Sequence, residues 1–195
     1  MIISLDNCKH LSDHELVELS LQNLDYFSCL YQRHETDLIR YIQRISGLDE
    51  DETHDILQES FIKIWRNLNE FDPDLKLSSW IYRIVHNEAV SYIRKKKSYG
   101  KNNTIEIELY RNILAEEDDA YPVKQESIID TQKILDKIPF KYKEVLVLKF
   151  LENKSYSEIS DILKIPEGTV AIRISRAKKA FREQTGHQTK MKNEK

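Results

Sequence analysis

The sequence predicts an all-α protein of two small helical domains joined by a flexible linker, the C-terminal one a helix-turn-helix. Glycine and proline are scarce, four of each in 195 residues, and 32% of residues are charged, a composition suited to helices. Apolar residues recur with a 3.6-residue period in two blocks separated by an acidic stretch without pattern. The third observation is Ser155 to Phe181, SYSEISDILKIPEGTVAIRISRAKKAF, which reads as two short helices joined by a tight turn, the second of them basic.

Helices are expected near 12–22, 24–46, 51–69 and 78–96. In the third of these, Leu57, Phe61, Ile64, Trp65 and Leu68 share one face, a core face. Asp55, Gln58, Glu59 and Ile62 lie together on its flank, an acidic patch enclosing an apolar residue. Most such faces are merely solvated, but mixed apolar and charged patches also mark protein interfaces. Asp72-Pro73 breaks this helix, and Ser78 or Ser79 is placed to cap the next. There Trp80, Ile81, Ile84, Val85 and Tyr92 point inward, Trp80 as a core residue. Arg83, Asn87 and Arg94 occupy another side and run into Lys95, Lys96 and Lys97. An ordered loop beside a cationic stripe suits single-stranded nucleic acid, with unstacked bases in the loop and phosphates along the helix.

The first domain is expected to span 1–98 and the linker 99–126. Residues 102–130 carry eight acids against Arg111 and Lys124. The second domain, 127–185, should hold helices near 127–137, 139–152, 155–163 and 167–184, followed by a polar tail over 186–195. Ser155 with Glu158 forms a capping box, Pro166 suits the first turn of the last helix, and Val170, Ile174, Ala177 and Phe181 make its apolar stripe. Its outward surface carries Thr169, Ala171, Ile172, Arg173, Arg176 and Lys178. In helix-turn-helix docking the start of the second helix meets base edges while cations hold phosphates. Thr169, Ala171 and Ile172 suit thymine methyls, and Arg173 a guanine edge or a phosphate. A basic amphipathic helix in an ordinary bundle is the plainer alternative.

Net charge is −3, yet residues 162–195 hold nine Lys or Arg against three Glu, and 94–101 hold five cations without an acid. Two basic zones around an acidic segment indicate two nucleic-acid contacts and a connector. Cys8 and Cys29 are too few and too far apart for a metal knuckle, and are expected as free thiols in a reducing cytosol. No leader and no apolar run of roughly 18 residues is evident, so a cytoplasmic protein without membrane insertion is expected. The histidines are scattered, the acids lie on helix faces or in the linker, and no glycine-rich phosphate loop exists. No catalytic residue, metal or cofactor is therefore expected, and the chain is read as a non-enzyme.

Three motifs in order carry a resemblance. DILQESFIKIW at 55–65, FDPDLKLSSWIYRIVHNEAVSYIRKKK at 71–97 and the segment 138–181 together resemble the extracytoplasmic-function (ECF) sigma factors of bacterial RNA polymerase. The resemblance implies that Asp55, Gln58 and Glu59 dock on the clamp of the polymerase β′ subunit. It implies that Asn87 and Arg94 lie near the melted −10 strand, and that Thr169, Arg173 and Arg176 belong to the −35 recognition helix. Ser91 stands where the family often has Asp. Core polymerase, promoter DNA and an anti-sigma protein are the partners it implies, with the free chain a monomer. A conventional helix-turn-helix regulator that binds duplex DNA without polymerase is the other reading.

Overall fold

The computed structural model describes residues 8–100 and 131–193 and contains eight α-helices among them. They are α1 (Asp13–Gln22), α2 (Leu24–Ser46), α3 (Glu50–Asn67), α4 (Leu77–Gly100), α5 (Thr131–Leu135), α6 (Phe140–Leu146), α7 (Tyr156–Leu163) and α8 (Glu167–Asn193). The linker expected over 99–126 and the helix start expected at 127 lie outside the described residues, apart from Tyr99 and Gly100 at the end of α4.

In the first domain α1 pairs with α2, α2 with α3, and α3 with α4. Ser12 and Glu15 form a capping box at the start of α1, and Asp49 accepts the Glu52 amide at the start of α3. Helix α2 ends at Gly47, whose φ of 69° is the left-handed conformation that a glycine adopts at little cost. Leu30, Leu38, Ile42, Ile45, Ile56, Leu57, Ile64, Ile81 and Val85 are fully buried between these helices. Phe27 and Tyr31 pack on Phe61 with ring centroids 6.1 and 4.6 Å apart.

Trp65 departs from its expected core position: it is 38% exposed, with one side stacked edge-on against Phe27 and the other open. Trp80 is buried against Phe71, as expected. Helix α4 starts at Leu77, so Ser78 and Ser79 lie within its first turn and are not its cap. The first turn bonds to the Lys76 carbonyl, and the buried Ser79 hydroxyl has no partner. Cys8 and Cys29, expected as free thiols, form a disulfide with a 2.05 Å S–S bond. The N-terminal turn folds back over α2, where the Arg33 guanidinium donates to the Cys8 and Leu11 carbonyls and brings the two cysteines together.

In the second domain the helix expected over 139–152 is α6 followed by a wider turn, Val147–Leu151, closed by the Glu152 amide on the Val147 carbonyl. The capping box of α7 is present: the Ser155 amide donates to Glu158 at 2.7 Å and the Glu158 amide to the Ser155 hydroxyl at 3.1 Å. Lys164 terminates α7 in the left-handed region, and Pro166 precedes α8 as the residue whose carbonyl accepts the Val170 amide. Val170, Ile174 and Ala177 are buried on α6 and α7, with Phe181 half-buried. Helix α8 continues to Asn193, beyond the expected end at 184 and through most of the expected tail.

The two domains pack directly on one another. Helix α7 lies on α4, and the turn after α6 lies on α2. Glu152 is the centre of this seam. Its carboxylate, 5% exposed, accepts from the Tyr82 hydroxyl at 2.9 Å and the Arg44 guanidinium at 2.7 Å. The Lys154 ammonium sits 4.0 Å above the Tyr82 ring. Deeper in, His86 of α4 lies between Tyr41 of α2 and Glu144 of α6.

At the seam's edge Lys76 of the first domain reaches Glu158 at 3.2 Å. Burial opposes ionisation of Glu158, but the Ser155 amide and hydroxyl and the Lys76 ammonium outweigh it and hold the carboxyl down at about 2. A carboxyl depressed on folding stabilises the fold above its unfolded value of 4.5, and that stabilisation is lost as pH falls toward about 2. Urea midpoints of Glu158→Gln are therefore expected below wild type at pH 7, with the gap narrowing between pH 5 and pH 3. A gap constant across that range would show that Glu158 ionisation does not contribute.

Candidate nucleic-acid and partner interfaces

Helix α3 divides cleanly into two sides. Thr53, Ile56, Leu57, Ser60, Phe61 and Ile64 are buried on α2 and α4. Asp55, Gln58, Glu59 and Ile62 fall at i, i+3, i+4 and i+7 and are all exposed, Ile62 at 37%. Among the described residues none of Asp55, Gln58 and Glu59 has a hydrogen bond or ion pair. The exposed ring of Trp65 lies one turn beyond Ile62. Unpaired carboxylates beside exposed apolar surface form a face suited to a basic and apolar protein groove.

Helix α4 presents the candidate single-strand surface. Asn87, Arg94 and Lys95 are exposed and Arg83 is half-buried. Lys96 bonds Glu52 of α3, which also accepts from the Tyr92 hydroxyl at 3.0 Å. The Lys96 ammonium, joined by Tyr92 and resisted by burial, holds the Glu52 carboxyl below its ordinary value. The Lys97 side chain lies outside the described part of the structure. The loop before α4 is built locally: Asp72 accepts the Asp74 amide on its carboxylate and the Leu75 amide on its carbonyl, each at 3.0 Å. Arg83, Asn87 and Arg94 are thus carried on one rigid helix beside an ordered turn.

On α8, Ile172 is 54% exposed, Lys178 is exposed, and Thr169, Ala171 and Arg176 are half-buried. The Lys178 ammonium lies over the exposed Phe150 ring at 5.3 Å. Arg173 is placed differently from a free base-reading cation, because its guanidinium bonds the Glu144 carboxylate at 2.7 Å. Burial pushes the Glu144 carboxyl up to about 7 against the pull of Arg173. Burial also pushes His86 down to about 4, so the ring is neutral at pH 7. Tyr41, wholly buried, keeps its phenolic proton, and its hydroxyl is hydrogen-bonded with His86 Nδ1 at 2.8 Å. The other ring nitrogen, Nε2, faces Glu144 Oε2 at 3.5 Å.

Sequence reasoning did not find Tyr82, His86, Glu144 and Glu152. Tyr82 and His86 stand at i and i+4 on α4, outside its first apolar stripe, and that spacing was the available signal. Their acceptors lie about 60 to 70 residues further along the chain, a separation that no local pattern reveals. Among the described residues no group of His, Cys, Asp and Glu could hold a metal ion, and no helix is long and apolar enough to cross a membrane.

The Sigma-70 region 2 family model matches residues 30–99, and the Sigma-70, region 4 model matches residues 129–181. The chain is similar to the ECF RNA polymerase sigma factor SigW of Bacillus subtilis, 41% identical over 141 residues that cover 68% of this chain and 75% of that protein. It is similar to the ECF RNA polymerase sigma-E factor of Haemophilus influenzae, 30% identical over 185 residues, covering 87% and 93%. Among solved structures, CnrH in complex with the cytosolic domain of CnrY matches with a TM-score of 0.67 at 23% identity, covering 90% of this chain and 97% of that one. The sigma factor RpoE of Bartonella quintana, in complex with the anti-sigma factor NepR, matches with a TM-score of 0.62 at 22% identity, covering 82% and 96%. At these identities the structural likeness is one of fold.

The Arg173 pair separates stability from recognition. Arg173→Ala leaves a carboxylate of 9% exposure without its partner and is expected to lower the unfolding free energy by about 1–3 kcal/mol. Thr169→Ala, with no such partner, is expected to stay within about 0.5 kcal/mol of wild type. Urea denaturation of both variants checks this, and equal midpoints would show that the pair contributes nothing.

Proposed function

The chain belongs to the ECF family of RNA polymerase sigma factors, and from that premise we propose how its surfaces divide promoter recognition between them. The chain binds core RNA polymerase and directs it to promoter DNA. Residues 1–98 form the polymerase-docking and −10 domain, 99–126 the connector, and 127–185 the −35 domain. The observation that carries this division is the unpaired acidic stripe of α3, backed by a buried and mostly apolar opposite side, in the segment that matches the region 2 model.

Asp55, Gln58, Glu59 and Ile62 dock on the β′ clamp. Arg83, Asn87, Arg94, Lys95 and Lys97 follow the melted −10 strand beside Lys96, which is paired with Glu52, and the loop and first helical turn from Asp72 to Ser79 take an extruded base. Capture of that base offsets an unstacking cost of a few kcal/mol. Thr169, Ala171, Ile172, Arg176 and Lys178 read the −35 duplex, with the cations lending salt-dependent affinity, while Arg173 holds the helix on Glu144. No covalent step is assigned to the chain. RpoE of B. quintana is bound by an anti-sigma factor, and a regulatory protein of that kind is proposed as a partner here.

Transcription by purified core polymerase from a library of duplex promoters tests the assignment. Wild type is expected to yield specific transcripts whose enriched sequences define the −35 and −10 elements. The Asp55→Ala/Gln58→Ala/Glu59→Ala variant is expected to lose them while its urea midpoint remains unchanged. Sequence-specific duplex binding without any polymerase-dependent transcript would instead identify a conventional regulator.

A further inference from the structure

The N-terminal turn is tied to α2 twice over. One tie is covalent, the disulfide between Cys8 and Cys29, which are 2% and 1% exposed. The other is the Arg33 guanidinium, one helical turn beyond Cys29. It donates to the Cys8 carbonyl at 2.8 Å, the Leu11 carbonyl at 3.0 Å and the Asp13 carboxylate at 2.9 Å. None of these acceptors is a sulfur, so the clasp does not depend on the S–S bond and keeps Cys8 beside Cys29 when that bond is broken. A ring held nearly closed by other contacts re-forms readily, because each thiol meets the other at high effective concentration.

The turn is also lightly built. The Leu11 amide donates to the Cys8 carbonyl at 3.1 Å, and α1 begins only after it, with Ser12 as its cap. Opening the turn admits a small reagent to both sulfurs while α1 stays fastened to α2 by the buried Leu16 and Val17. Cys8 and Cys29 are the two cysteines of the chain, so no third thiol diverts exchange between them. A chain that serves RNA polymerase works in the reducing interior of the cell, where protein disulfides are as a rule transient and redox-sensing.

We propose that Cys8 and Cys29 form a reversible redox site, oxidised by a peroxide and reduced by a small dithiol, with Arg33 keeping the two sulfurs in register in both states. The inference goes beyond the sigma-factor reading and rests on it only for the compartment. In oxidation, one thiolate attacks an oxygen of hydrogen peroxide, the O–O bond breaks, and hydroxide leaves to take up a proton as water. The sulfenic acid so formed is then attacked by the second thiol, and its oxygen departs as a second water as the S–S bond closes. Two thiols are oxidised and one peroxide is reduced to two waters. In reduction, a dithiol attacks one protein sulfur and then closes its own ring, returning both protein thiols. Oxidation cross-links positions 21 residues apart and so restricts the unfolded chain, which makes the oxidised first domain the more stable form.

The site is tested on the full chain, reduced with dithiothreitol, desalted and exposed to equimolar hydrogen peroxide. Free thiols are then counted by maleimide labelling in denaturant and intact mass. The reduced chain is expected to take two labels, the oxidised chain to remain monomeric and take none, and native dithiothreitol treatment to restore both. In buffers of reduced and oxidised dithiothreitol, Arg33→Gln is expected to shift the equilibrium toward the dithiol by at least about fivefold, through loss of the bonds to the two carbonyls. The urea midpoint of wild type is expected to rise by about 1 M on oxidation. Cys8→Ala, checked for native helix content by circular dichroism, is expected to have one midpoint under both conditions.

Peroxide that leaves two labels, cross-links separate chains or carries the cysteines to sulfinic acid would overturn the proposal, as would a disulfide that native dithiothreitol does not open. An Arg33→Gln equilibrium equal to wild type would remove the part assigned to Arg33. These measurements need neither polymerase nor DNA, so the two readings fail separately. Reversible oxidation in a chain that supports no transcription removes the sigma reading alone, and promoter-specific transcription by a chain whose thiols resist peroxide removes the redox site alone.

Discussion

Helix α4 is buried on two faces, and the rest of the architecture depends on that. Ile81 and Val85 pack into the core of the first domain, while Tyr82 and His86 make a second face against the other domain. A helix with one apolar stripe belongs to one domain. One with a second stripe ending in polar atoms connects two, and each of those atoms then needs a partner across the gap. Glu152 supplies the partner for the Tyr82 hydroxyl and Glu144 faces His86, so burying this second face leaves neither group orphaned.

This way of joining domains differs in kind from the packing within each of them. Within the first domain the stabilising contacts are those of Leu, Ile, Val and Phe, which gain by leaving water and have no reason to separate. Across the seam, tyrosines, a histidine and glutamates meet arginine and lysine. Burial raises the Glu144 carboxyl to about 7 and lowers the Lys154 ammonium, so the charged forms there are held at a cost. A boundary built on compensated charge is specific in geometry and modest in net strength.

Much of this was legible in the sequence because it is local. The Ser155 and Glu158 capping box, the stripe of Val170, Ile174 and Ala177, and the flank of Asp55, Gln58, Glu59 and Ile62 follow from spacings of three and four residues, and the structure has each of them in place. What escaped depends on distant parts of the chain. Trp65 satisfies the core period yet sits at the edge of its domain, where Phe27 covers one side only. The disulfide depends on Arg33 drawing the N-terminal turn back over α2. Arg173 reads as an outward cation until α6 places Glu144 beneath it. In each case the local pattern was sound, and a contact from elsewhere in the chain decided where the side chain lies.

The same contrast explains how one small domain presents an acidic face and a basic face on adjacent helices. Opposite charges on α3 and α4 would be expected to pair across the groove and cancel both surfaces. The structure confines that cancellation to the boundary between the helices, where Glu52 takes Lys96 and Tyr92, and Lys63 takes Glu88. Those pairs are consumed in holding α3 on α4. The charges one helical step further out, Asp55 and Glu59 on one rim and Arg94 and Lys95 on the other, are left without ion-pair partners among the described residues. Each rim keeps its own sign of potential at short range, because opposite charges along the boundary screen one from the other. Two faces of opposite sign set side by side each favour a partner of complementary charge and repel the other.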